Sequence, residues 1–292
     1  MYIKEVRGMN KLLYSTVRID VIIDEKSSIS ATGFLTEVGL LNHAIITNAH
    51  VFQDDLKFPK KFVSASFYVW VIDNDDSQKL KQEEFLLSGN HLSKIVYYSE
   101  MGDLNYIDLC AVDIKFLTKR NAAFGYLPLS ISVALAAQGQ KALDSLEIAT
   151  AIFMIGYPEG VFDPHSKLPL CLTGHIASNP QFDYQNRKEY LIDIYSTDGS
   201  SGSPVFFSTT NTYRNDLLIP GKLIRDTIDI RFIGVFTEFI KANIIDEDGK
   251  PSKVTMKIGV VLKPGLVVEM MVKVFNPEIH IAQIIPPDQT SD

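Results

Sequence analysis

What most limits the possible folds of this 292-residue chain is the recurrence of short runs rich in β-branched and aromatic residues. Tyr14–Ile23 reads YSTVRIDVII, Phe62–Ile72 reads FVSASFYVWVI, and Lys94–Tyr98 is a shorter run of the same kind. A second group follows at Glu147–Ile155, Pro169–Ala177, Glu189–Tyr195, Pro204–Ser208, Ile230–Ile240 and Val254–Leu262. Such segments suit a pleated, half-buried surface, and turn-forming clusters separate them. The pattern predicts an all-β protein. Lys79–Leu87 fits a short helix and a strand equally well. The run Asp73-Asn74-Asp75-Asp76 is predicted as an exposed turn; it lacks the spacing, central glycine and terminal glutamate of a calcium loop.

Residues 118–146 have a different texture, since Val133–Ala137 and Ala142–Leu146 favour helix or irregular structure. They divide the strand-like runs into two groups. Thr209–Asp229 is too long for a simple hairpin connection and is predicted as an excursion with its own short strand. Leu266–Phe275, just after Pro264-Gly265, is predicted as a closing helix, and Pro286–Asp292 as a frayed tail.

With 46% hydrophobic and 22% charged residues the chain has ample material for a core. A net charge of −7 and a pI near 5.4 argue against a nucleic-acid partner. Lys57, Lys60 and Lys61 cluster, but acids surround them, and the run reads as a solvated loop. Apolar runs such as Ile148–Pro158 are too short to span a bilayer, and Met1–Lys11 carries charges of both signs without a signal-peptide core. Two cysteines, Cys110 and Cys171, cannot build a disulfide framework, and both are expected to be buried thiols. The expected setting is cytoplasmic, away from membranes.

Three short segments carry chemistry. Gly199-Ser200-Ser201-Gly202-Ser203-Pro204-Val205 is a small-residue turn that displays a central serine ahead of an apolar strand. Glycine at 199 permits a backbone conformation that aims the amides of Gly199 and Ser201 at one point, an oxyanion hole. Thr47-Asn48-Ala49-His50-Val51 ends the apolar strand Ala44–Ile46 with an imidazole, and Ile107-Asp108-Leu109-Cys110-Ala111-Val112 opens another with a carboxylate. A serine hydroxyl needs a base within hydrogen-bond reach, an imidazole suits that task at neutral pH, and a carboxylate orients the imidazolium that forms.

In this order His50, Asp108 and Ser201 resemble the catalytic residues of the trypsin-like, chymotrypsin-fold serine peptidases, in particular the bacterial group that includes the HtrA/Deg proteases. Further matches are Gly33-Phe34, Ile155-Gly156-Tyr157-Pro158, Thr173-Gly174-His175-Ile176 and Ile233-Gly234-Val235. The resemblance implies two six-stranded antiparallel β-barrels with a C-terminal helix. The expected division is residues 1–120 carrying the histidine and aspartate, a linker at 121–146, residues 147–278 carrying the serine and closing helix, and a tail at 279–292. It implies a serine endopeptidase acting through an acyl-enzyme on protein or peptide substrates, without cofactor or metal. No length remains for the PDZ module that HtrA relatives append. The primary pocket would be walled by Tyr195-Ser196-Thr197-Asp198 and Val235-Phe236-Thr237, with a small or medium apolar side chain preferred, although Asp198 could attract a basic one.

Two departures matter. Digestive members carry an aspartate before the nucleophile, where it pairs with a new N-terminus after zymogen cleavage; Ser200 stands there and cannot do so. The oxyanion loop is then either already formed or ordered by a partner, oligomer or substrate. Ser203 replaces the more usual glycine. Among competing groups, His43 is expected at the surface, His175 has a structural role or approaches the pocket, and His91, His165 and His280 lack zinc-ligand spacing. Asp103 and Asp113 read as solvated, and Ser200 and Ser203 as pointing away from His50. Two other readings compete: a catalytically silent module that holds a peptide in the same cleft, and an esterase-type acyl hydrolase.

Overall fold

The computed structural model describes residues 10–38, 42–53, 62–72, 79–99, 107–114, 131–211, 227–245 and 251–275. A short helix α1 (Asn10–Ser15) leads into β1 (Thr16–Ile22), followed by β2 (Ser28–Val38) and β3 (Asn42–Thr47). Then come β4 (Ser64–Ile72), β5 (Leu80–Ser88), the single-turn α2 (Gly89–Leu92), β6 (Val96–Tyr98), β7 (Cys110–Asp113) and the two-residue β8 (Ile131–Ser132). These strands form one eight-stranded sheet in the order β5-β4-β1-β2-β3-β7-β6, with β8 pairing in parallel to β2. Helix α3 (Val133–Leu143) follows directly, and the Ser132 hydroxyl caps it by accepting from the Leu135 amide at 3.2 Å.

The second half is a closed antiparallel barrel of six strands. They are β9 (Ala151–Gly156), β10 (Leu170–Ile176), β11 (Glu189–Ile194), β12 (Pro204–Asn211), β13 (Thr227–Ile245) and β14 (Pro251–Leu262). Closure runs β10-β11-β14-β13-β12-β9. Helix α4 (Gly265–Phe275) ends the described chain. The chain is thus mostly β, as its sequence pattern predicts, with a closing helix over Leu266–Phe275. No helix among the described residues is long and apolar enough to cross a membrane.

Alternation along the strands explains where the cores lie. In β3, Ile45 faces the interior of the first sheet, while Ala44 and Ile46 face the layer between sheet and barrel. Cys110 and Val112 of β7 point inward, and Ala111 points to that shared layer. Strands apolar on both faces must be covered twice. The second cover is made by Phe153, Phe206 and Phe232 of the barrel and by Leu266, Val267, Met270 and Met271 of α4. A third cluster, including Tyr190, Ile192, Val205, Ile233 and Phe236, fills the barrel.

Several expectations change. The segment that fits helix and strand equally is the strand β5 (Leu80–Ser88), whose sparse burial reflects its place at the edge of the sheet. The 209–229 excursion starts later than predicted, because β12 and β13 continue as a hairpin through Asn211↔Thr227. Cys171 is exposed rather than buried, because it falls on the outward face of β10, whereas Cys110 is fully buried. His43 is also not a surface residue: its ring is 12% exposed and 3.9 Å from Glu37. Residues 73–76, Asp103, the 57–61 lysines, His280 and the tail lie outside the described residues.

Candidate active site

Register brings the histidine and aspartate together. Thr47, the last residue of β3, pairs with Cys110, the first of β7, so the chain leaving β3 runs beside the chain entering β7. The Asn48 side-chain amide donates to the Asp108 carbonyl at 2.7 Å, and the Cys110 thiol donates to the Asn48 carbonyl at 3.3 Å. A 3-10 turn, Ala49–Val51, then turns His50 outward. The Asp108 carboxylate takes the His50 backbone N–H on Oδ1 at 2.8 Å and stands 2.7 Å from Nδ1 through Oδ2. Two contacts from one carboxylate fix both the position and the rotation of the ring. The imidazole is 43% exposed and the carboxylate 17%, so the pair has one wet side and one dry side.

Ser201 lies in the turn that enters β12. Gly199 (φ +88°) and Gly202 (φ +87°) both adopt the left-handed region. A Cβ on Gly202 would collide with the Thr32 carbonyl and the Thr47 hydroxyl, so the tightness of this turn needs glycine there. Most of the turn's amides are engaged: Ser200 donates to Thr197, Gly202 to Phe236 and Ser203 to Ser200. The amides of Gly199 and Ser201 donate to nothing among the described residues. The Asp198 carbonyl accepts from the Glu159 amide at 2.5 Å, and the Ser201 hydroxyl donates to the Thr237 carbonyl at 2.9 Å. Ser200 is buried with its hydroxyl against that of Ser196, and Ser203 is buried beside Gly156.

Thr32 of β2 fastens this turn to the first sheet. Its amide donates to the Ser201 carbonyl at 2.9 Å. Its hydroxyl donates to the Gly199 carbonyl at 2.9 Å and accepts from the Tyr157 amide at 2.9 Å. Thr32→Val keeps the shape but strands two buried backbone groups. We expect a loss of roughly 2–4 kcal/mol in urea unfolding, together with a fall in any turnover that depends on the turn. Unchanged stability would show that the hydroxyl is dispensable. Only the neighbouring Gly33-Phe34 motif hinted at this position in the sequence.

Two clefts meet at His50, Asp198 and Ser201. One, about 380 Å³, is lined by Thr197, Asp198, Phe236 and Thr237 and extends to Glu238, Phe239, Lys241, Arg187 and Glu189. The other, about 350 Å³, is bounded by Ser28–Ala31, Val51, Glu159 and Gly199. Three of the anticipated wall residues do not line either cleft. Val235 is fully buried because it faces the layer between sheet and barrel. Ser196 turns to Ser200, and Tyr195 is 69% exposed with the Lys257 ammonium 4.7 Å from its ring centroid. His175 pairs with Asp193 on the exposed face of the barrel, 3.3 Å away, and belongs to neither cleft. No cluster of metal-binding side chains occurs among the described residues.

Arg187 and Glu189 were not anticipated. A tight hairpin turn with Gln185 (φ 52°) and Asn186 (φ 59°) reverses the chain before β11 and presents both to the larger cleft. Their charged groups stand 2.8 Å apart. Burial pushes the Glu189 carboxyl up from its ordinary 4.5 to about 7; Arg187 opposes that rise, and the nearby charges of Glu238 and Asp108 add to it. A glutamate at the head of an otherwise apolar strand was the available signal.

The raised Glu189 has a stability consequence. Between pH 4.5 and 7 the folded protein holds a proton there that the unfolded chain releases, so stability falls as pH rises through that window and levels off above it. Relative to Glu189→Gln, the wild type should lose on the order of 2 kcal/mol between pH 4.5 and pH 8 in urea titrations. A difference that stays constant with pH would refute this.

This fold and these clefts define the class, and sequence comparison agrees with it. The chain matches the trypsin-like peptidase domain over residues 31–212. It therefore belongs to the trypsin-like peptidase domain family, a family of serine proteases. No curated protein sequence matches it. Among solved structures it is similar to the active form of the Rv3671c protease of M. tuberculosis, at 17% identity over 90% of this chain and 82% of that one, TM-score 0.47. It is also similar to the thermostable serine protease AL20 of an extremophilic microorganism, at 10% identity over 91% and 100% of the two chains, TM-score 0.49. Deg5 is similar at 13% identity over 91% and 92%, TM-score 0.45.

Proposed function

We propose that the protein is a serine endopeptidase in which Ser201 is the nucleophile, His50 the general base and acid, and Asp108 the orienting carboxylate. The observation that carries this reading is the double hold of Asp108 on His50. With Nδ1–H directed at the carboxylate, Nε2 bears the lone pair of the neutral ring. Rotation of Ser201 about χ1 swings its proton from the Thr237 carbonyl to that nitrogen. The oxygen then attacks the substrate carbonyl, and the resulting oxyanion is held by the amides of Gly199 and Ser201. Collapse of the tetrahedral species expels the amine, which takes the proton from His50 and leaves an acyl-enzyme on Ser201. Water, deprotonated by the same imidazole, releases the acid and regenerates the hydroxyl.

Two clefts flanking one serine support cleavage inside a chain rather than at its end, since substrate extends in both directions. By resemblance to the family, the cleft walled by Phe236 and Thr237 takes the acyl side. The turn needs no ion pair from a cleaved N-terminus, because Thr32 and the Glu159 amide already hold it. A fluorophosphonate probe tests the reading. Labelling mapped to Ser201, together with cleavage of peptides in preference to simple esters, is the expected result. No labelling of Ser201 in any condition overturns it, and labelling with ester hydrolysis alone makes the protein an esterase.

A further inference from the structure

The larger cleft contains more charge than peptide-bond cleavage requires. Its lining carries the carboxylates of Glu189, Glu238 and Asp198 against the fixed cations Arg187 and Lys241, with Asp108 behind His50. Glu189 is the unusual member. It is 4% exposed as a residue, and its Oε2 is shut off from solvent and paired with Arg187 Nη2 at 2.8 Å. Arg187 Nε is likewise buried without an acceptor. A buried carboxylate normally gathers several donors, and the Arg187 guanidinium is the partner this one has among the described residues. The other nearby cations are occupied elsewhere: Lys188 meets Glu269 and Lys263 meets Asp183, each at 2.7 Å.

We propose that the Arg187–Glu189 pair is the specificity element of the acyl-side cleft, and that it selects a substrate side chain bearing an ammonium or guanidinium group, seated between the carboxylates of Glu189 and Glu238. An incoming carboxylate would face repulsion from three acids, and an apolar side chain would leave their charge uncompensated. A cation offsets the charges of Glu238 and Asp108 that add to the burial-driven rise of Glu189. The inference rests on the peptidase reading above and names its substrate class.

Aminocoumarin peptides otherwise built from alanine, with lysine, norleucine or glutamate placed in turn at each of the four acyl-side positions, provide the test. The readout is the ratio of kcat/KM for lysine over norleucine between pH 5.5 and 8.5. The chemistry at His50 and Ser201 is common to both substrates and cancels in that ratio. At one position the ratio should reach roughly ten- to a hundredfold at pH 8. It should fall towards pH 5.5 as Glu189 gains its proton. In Glu189→Gln the ratio should drop to within about twofold and lose its pH dependence. Should that variant not fold, the exposed Glu238→Gln must lower the ratio while the wild-type pH profile stands. A ratio near one at every position, a preference for glutamate, or a lysine preference that survives Glu189→Gln overturns the inference and leaves the peptidase reading intact. If no peptide is cleaved, the peptidase reading fails instead. Fluorescence anisotropy of labelled versions of the same peptides on Ser201→Ala then decides the inference: the same lysine preference in affinity sustains it, and equal affinities end it.

Discussion

Ser201→Ala should abolish turnover, lowering kcat by roughly a millionfold, the size of loss seen when the nucleophile of a comparable triad is removed. The substitution deletes one oxygen from a turn whose shape is set by other groups. Gly199 and Gly202 supply the left-handed backbone, Thr32 holds the carbonyls of Gly199 and Ser201, and the Gly202 amide stays on Phe236. The hydrogen bond from the hydroxyl to the Thr237 carbonyl is lost, at a cost of about 1 kcal/mol. The variant should therefore melt close to the wild type and still bind peptide. Peptide hydrolysis by the purified variant within tenfold of wild type would remove Ser201 from the mechanism.

Asp108→Asn should lower kcat by roughly four orders of magnitude while leaving the fold intact. The geometry gives the reason. The His50 backbone N–H requires an acceptor, so the asparagine oxygen takes the place of Oδ1 at 2.8 Å. The amide nitrogen then occupies the place of Oδ2, 2.7 Å from Nδ1, and presents a donor where an acceptor stood. Nδ1 must accept, the ring proton moves to Nε2, and the imidazole can no longer take a proton from Ser201. Kinetics at neutral pH beside a melting curve check this. A loss smaller than tenfold in a well-folded variant would mean that Asp108 does not set the tautomer.

Both arguments depend on residues that are local in sequence and distant from one another. Each motif is a strand end or a tight turn, recognisable because small residues, an apolar run and one polar side chain occur together. The strand character of β1, β4 and β13 was legible for a related reason: β-branched and aromatic residues crowd these segments. Segment β5 was not, because Lys81, Gln82, Glu83 and Glu84 sit on an edge strand with little to cover, which erases the alternation that distinguishes strand from helix. Cys171 was misjudged because an apolar neighbourhood does not say which face of a strand looks inward.

The cleft shows the same division. Thr197, Asp198, Phe236 and Thr237, placed in the pocket wall by resemblance to the family, line it. Val235 and Tyr195, placed there on the same ground, do not, since one faces the layer between sheet and barrel and the other is largely exposed. The local signals for Glu189 and Thr32 are slight, a glutamate heading an apolar strand and the neighbouring Gly33-Phe34, and Arg187 has none; pairing in another part of the molecule brings each to the site.

The order of residue types along the chain determined by itself that this would be a β protein with a serine displayed in a glycine-permitted turn, because backbone preference and side-chain burial act over a few residues. Only the tertiary structure decided which charges share a cleft with that serine. The pairing of Thr47 with Cys110 and the hairpin at Gln185-Asn186 are long-range or conformational choices, and their outcome depends on packing across the whole fold rather than on any short stretch.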